Sequence, residues 1–186
     1  MRYFLMLFFW CSGFVAAQTD SVKRIDSLKQ VLQKPMTDTQ RAKALIAMTE
    51  ACYAGAPAVA IQYAAQAETL SKKINYAEGM LNAYGWLAFL YEQEGKIQPA
   101  LDYYGKALAI ARKTNDKKEE GTVLNNLAAI YKDQGKIIEA LGLHQQSLAI
   151  KKSIGDKSGI ASSLNNVGLI YAGQGRIDEA LDHYER

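Results

Sequence analysis

Histidine and cysteine are almost missing: the 186-residue chain has two of each. His144 and His183 fall in different segments with no second ligand at metal spacing, so both read as packing or surface residues. No nucleophile sits in a recognisable catalytic motif. Gly173-Gln174-Gly175 lacks the strand that precedes a nucleotide-binding loop. The chain therefore offers no candidate catalytic, metal or cofactor-binding residue, and none is expected. Proline is scarce as well, at three: Pro35 stops a helix, and Pro57 and Pro99 fall in first turns, where a missing N–H is harmless. Charge of one sign is also lacking. The formal net charge of +3 is too slight a bias to indicate nucleic acid or an anionic membrane as partner.

Long apolar runs are confined to the beginning. Arg2 precedes the apolar stretch from Tyr3 to Trp10, and Val15-Ala16-Ala17 supplies small residues before Gln18. A basic start, a short apolar core and a small-x-small ending read as a secretory signal peptide over residues 1–17. The run is shorter than the ~20 residues a membrane span needs. A lipoprotein cysteine wants a small residue before it, and Cys11 follows Trp10. The expected location is periplasmic or otherwise extracytoplasmic. Once the leader is removed, Cys52 is the one cysteine left, which rules out an intramolecular disulfide and suits a small packing residue.

What is present is repetition. The stretch Asn125 to Leu141 returns 40 residues later as Asn165 to Leu181, and 40 residues earlier the phase lands on Leu87 to Leu101. A fixed period of this size marks stacked supersecondary units. Leu124, Leu127, Ala128 and Tyr131 lie at i, i+3, i+4 and i+7, one helical stripe. Gly135 ends that helix, and Ile137, Ala140, Leu141, His144 and Leu148 begin and continue the next stripe. Ala128 and Ala140 mark the closest approach, where a bulkier side chain costs about 1–3 kcal/mol. Asp116 is expected to cap the following helix in a reciprocal pair with Glu119; Asp156 caps likewise, but Gly159 has no side chain to return. Residues 18–37 read as an amphipathic capping helix and linker, with Val22, Ile25, Leu28 and Leu32 on one side and Thr19 or Asp20 as its cap. The first unit is degenerate: Gly55 keeps the phase, but Ala51 replaces the tyrosine.

The pattern Leu87/Leu127/Val167, Ala88/Ala128/Gly168, Tyr91/Tyr131/Tyr171, Gly95/Gly135/Gly175 and Ala100/Ala140/Ala180 resembles the tetratricopeptide repeat family, in a 40-residue variant. The resemblance implies an all-α, right-handed superhelical solenoid of antiparallel helix pairs over residues 38–186, in about four units: 39–75, 77–115, 117–155 and a truncated 157–186. The family's frequent proline after the second helix is absent. Tetratricopeptide proteins hold peptides or protein helices in a concave groove. Here the inner face of the first helices is expected to carry Asn82, Trp86, Phe89, Asn125, Asn126, Lys132, Asn165 and Asn166. Asparagine amides offer donors and an acceptor for a peptide backbone, and Trp86 an apolar anchor. Those asparagines also suit hydrogen bonds between neighbouring units. Only Asn126 and Asn166 match the carboxylate-clamp subgroup, and Lys132 is not repeated.

A leader followed by such units looks like the extracytoplasmic input region of bacterial sensor histidine kinases. The expected function is a non-catalytic protein-interaction scaffold with a protein or peptide partner. A free-standing periplasmic or secreted adaptor and the non-catalytic part of a truncated enzyme are the alternatives. The codons after Arg186 separate them: a ~20-residue apolar run and a kinase-like histidine motif mark the sensor. A closing amphipathic helix and stop codon mark the adaptor, and a soluble catalytic domain marks the enzyme.

Overall fold

The structure is a computed structural model and describes residues 22–185, apart from the side chain of Tyr184; the leader read in residues 1–17 and the expected caps Thr19 and Asp20 lie outside the described residues. Among the described residues all regular structure is helical. Helix α1 takes in the described residues 22–33; α2 (Asp38–Cys52) and α3 (Pro57–Lys73) follow, then α4 (Ala77–Gln93) and α5 (Ile97–Lys113). The chain continues through α6 (Lys117–Asp133), α7 (Ile137–Ser153), α8 (Lys157–Gly173) and α9 (Ile177–Glu185). From α4 onward each helix begins 40 residues before its counterpart.

Local chemistry sets these boundaries. Gly95, Gly135 and Gly175 take φ of 71°, 75° and 74°, the left-handed conformation that closes a helix end. At Gly135 the N–H of Lys136 reaches back to the carbonyl of Tyr131 at 2.9 Å, satisfying a terminal acceptor. Asn75 and Asn115, at 53° and 55°, fill the same role after α3 and α5. Asp116 then serves two helices: its N–H bonds the Ala111 carbonyl at 2.8 Å, and its carboxylate accepts from the Glu119 N–H at 3.1 Å.

Two sequence expectations change here, and one cap is new. The Asp116 cap is one-way, because the Asp116 N–H that Glu119 would bond in return is already donated to the Ala111 carbonyl. Gly55 does not adopt a left-handed φ, so the α2–α3 turn differs from the others. The capping box found in the structure belongs to Thr37 and Gln40: Gln40 N–H donates to Thr37 Oγ1 at 3.2 Å, and Thr37 N–H donates to Gln40 Oε1 at 2.9 Å. Asp156 caps α8 through the Gly159 N–H at 2.9 Å, and a Cβ on Gly159 would overlap that carboxylate.

The chain forms two compact units, Met1–Leu90 and Tyr91–Arg186. In the first, α2 lies on α3 around Met48, Cys52, Ala60 and Leu90, with Ile25, Leu28 and Leu32 of α1 packed against that cluster. In the second, α5 packs on α6, α6 on α7, α7 on α8 and α8 on α9. Ala128 and Ala140 are both fully buried, as the close approach of α6 and α7 demands. No helix among the described residues is long and apolar enough to cross a membrane.

The α7–α8 contact of the second unit buries polar groups where the preceding repeat has Ala107, Ala111 and Val123. Lys151, 4% exposed, donates from Nζ to Ser163 Oγ at 3.2 Å. Ser163 and Ser147 lie 3.3 Å apart, and Ser147 donates to the Gly121 carbonyl at 2.7 Å. Burial pulls the Lys151 amine below its ordinary value, with Asp156 opposing. A buried cation with a hydroxyl partner is usually less favourable than a well-packed apolar side chain. Lys151→Met is therefore expected to raise the urea midpoint, by about 1–2 kcal/mol in stability, without changing helicity.

Candidate functional site

In the first unit the expected inner-face residues of α4 gather around a tyrosine from outside the helix. Trp86 and Phe89, three apart, share a helix face. Tyr53, just past the end of α2, completes the patch. Its ring lies 5.3 Å from Trp86, tilted by 44°, and 6.1 Å from Phe89, edge-on; Trp86 and Phe89 are 6.0 Å apart at 80°. These offset and edge-to-face arrangements suit ring quadrupoles. The patch is open to solvent: Tyr53 is 42% exposed, and Trp86 and Phe89 are half-buried. Asn82, one turn before Trp86, is exposed and bonds its own helix, donating to the Glu78 carbonyl at 2.9 Å.

In the second unit Asn125, Asn126 and Asn166 turn inward. Asn125 was expected to face away from α7; instead its Oδ1 lies 3.0 Å from His144 Nδ1 on α7. The same oxygen accepts from Asn166 Nδ2 of α8 at 3.2 Å. An amide oxygen only accepts, so His144 Nδ1 carries the proton and its buried Nε2 keeps an unpartnered lone pair. The physical reason is His144 itself: fully buried on the α7 stripe, it needs a polar partner, and Asn125 is within reach. Asn126 contacts the hydroxyl of Tyr104 on α5, which in turn donates to Glu92 Oε2 at 2.9 Å. Asn165 remains exposed on α8. Lys132 is half-buried, its Nζ 3.1 Å from Asp133.

The structure thus brings Asn125 and Asn166 together, gathers Trp86 and Phe89, and leaves Asn82 and Asn165 at the surface. Sequence reasoning missed Tyr53, Glu92 and Tyr104. A signal existed for two of them: Tyr104 precedes His144, and Glu92 precedes Lys132, by the repeat period of 40 residues. These two repeats each place a polar pair at those positions. Burial raises the Glu92 carboxyl and Asp133 adds to it, while the Tyr104 hydrogen bond opposes. In the next repeat, burial pushes His144 down to about 4, and the Lys132 and Lys151 charges add to that.

A tetratricopeptide repeat model matches residues 79–153 and again 119–186, together more than half of the chain. The chain belongs to the tetratricopeptide repeat family. Solved structures share the fold of this tetratricopeptide chain. The Rap protein complexed with competence and sporulation factor matches with a TM-score of 0.80 at 20% identity, over 94% of this chain and 50% of its own. BtubC from P. vanneervenii matches with 0.72 at 20% identity, over 90% and 69%. A Podosopora anserina kinesin light chain with nearly identical TPR-like repeats matches with 0.70 at 21% identity, over 91% and 86%. The chain spans about half the length of the Rap protein it matches. No curated protein matches the chain.

His144 makes the second unit acid-sensitive. Its folded value of about 4 lies below its unfolded value of about 6.5. Between those values the unfolded chain binds the proton and the folded chain does not, so stability falls as pH drops through this window. The expected loss between about pH 7.5 and about pH 5.5 is ~1 kcal/mol. Urea titrations at the two pH values should show a smaller loss in His144→Leu; an equal loss assigns the effect elsewhere.

Proposed function

We propose that this chain is a protein-interaction module that holds a peptide or protein partner on the faces of its helix pairs. The observation that carries the reading is the Tyr53–Trp86–Phe89 patch. Large, rigid rings that stay partly open to solvent are the residue type that anchors interfaces, with tryptophan foremost. In the second unit Lys132 and Asn165 are the expected groove residues turned at least partly outward, while Asn125, Asn126 and Asn166 spend hydrogen bonds inside the protein. The Rap protein carries competence and sporulation factor in its crystal structure, which supports partner binding by analogy of fold.

The module is exported through residues 1–17, in this reading, and works outside the cytoplasm as the input region of a larger signal-transduction protein. The basic, apolar and small-residue order of the leader supports export. Any kinase activity belongs to residues beyond this module, whose own side chains supply the binding.

Selection of displayed peptides on the immobilised protein tests the patch. Enriched peptides are expected to bind about tenfold or more weakly to Trp86→Ala, and with unchanged affinity to Ile138→Asp, which alters an exposed residue of α7. Equal binding to Trp86→Ala removes the patch from the site. Export predicts a mature protein beginning at Gln18, read by N-terminal sequencing; a retained leader defeats that part of the reading.

A further inference from the structure

Helix α1 is held lightly. Among its described residues none is fully buried, and Ile25, Leu28 and Leu32 are each half-buried against the Met48–Cys52–Ala60–Leu90 cluster. Among the described residues its polar ties to the rest of the unit are the Arg24–Glu50 pair at 2.7 Å, both side chains about half exposed, and Arg41 Nη2 donating to the Leu32 carbonyl at 3.3 Å. Helices in proteins draw most of their stability from tertiary packing, so α1 depends on its docking to stay ordered. The segment 34–37 joins it to α2 and bends at Lys34.

The surface under α1 is continuous with the aromatic patch. Phe89 packs against the same core cluster that Ile25, Leu28 and Leu32 cover, and its ring meets Trp86 and Tyr53 edge-on. A shift of Phe89 therefore alters the floor on which α1 rests, because a close-packed interior passes displacement on rather than absorbing it.

We infer that α1 is a displaceable cap on the α2–α3 pair, and that its docking is coupled through Phe89 to the setting of the Trp86 patch. Whatever occupies the patch shifts the docked population of α1, and docking of α1 changes affinity at the patch by the same factor. The cap and its coupling stand whether or not the patch binds a protein.

Cys52 is a built-in reporter. It is buried in the cluster that α1 covers, and Lys29 of α1 acts on its thiol electrostatically. Undocking α1 uncovers the thiol. The test uses the full chain with Cys11→Ser and follows reaction of Cys52 with a chromogenic aryl disulfide. In the parent the reaction is expected to run faster than global unfolding permits, the mark of local opening. Leu28→Asp should accelerate it about tenfold or more, and Ile25→Ala less, both with nearly unchanged circular dichroism. Phe89→Ala and Trp86→Ala should each change the rate about threefold or more, whereas Asn82→Ala, exposed on the same helix, should not. A parent rate equal to that of global unfolding overturns the displaceable cap. So does acceleration below about twofold in both α1 variants. Acceleration by the α1 variants alone, with Phe89→Ala and Trp86→Ala silent, overturns the coupling.

Discussion

The structure depends on how closely the paired helices within each unit, α2 with α3, α6 with α7 and α8 with α9, can approach. Ala60, Ala100, Ala140 and Ala180 begin the second helices and are buried to within 2% of completely. Facing positions on the first helices of the second unit hold Ala128 and Gly168. Small side chains let the backbones meet, and the larger stripe residues then interdigitate around that contact. Everything else is attached to this lattice: the left-handed turn residues reverse the chain, and caps such as Asp116 start the next helix. Met48 occupies the facing position of the first pair, fully buried opposite Ala60, and there α1 rather than a preceding repeat lies against the cluster.

On that apolar lattice the chain varies a few polar positions, and those variations distinguish one repeat from the next. Glu92 and Tyr104 form a pair in one repeat; Lys132 and His144 occupy the same phase in the next, with the electrostatics reversed. Ala107, Ala111 and Val123 become Ser147, Lys151 and Ser163. Each exchange puts a polar group into a buried site, where it must find a partner or shift its protonation. Such groups cost stability and tie one particular helix to one particular neighbour. In the first unit the variation runs toward rings: Trp86 stands in the phase of Asn126 and Asn166, and its surroundings are aromatic rather than amide.

The helices, their order and their turns were legible in the sequence because they follow from periodicity and backbone chemistry. A stripe at i, i+3, i+4, i+7 and a glycine at its end are local facts. The orientation of polar side chains was not legible. Asn125 and Asn126 are adjacent, yet one serves His144 on α7 and the other Tyr104 on α5. That division depends on which buried group lies within reach, and His144 and Tyr104 sit 18 or more residues away along the chain. Tyr53 escaped for a similar reason: it follows α2, outside any helical stripe, and joins Trp86 only when α2 and α4 are brought together.

By itself, then, the amino-acid order determined the paired-helix array, its 40-residue spacing and its alanine contacts, since each follows from a residue pattern that repeats along the chain. Only the tertiary structure decided which polar groups are consumed inside and which aromatic rings stay open. Hydrogen-bond partners and solvent access arise between helices distant in sequence, and no local pattern encodes the distance between them.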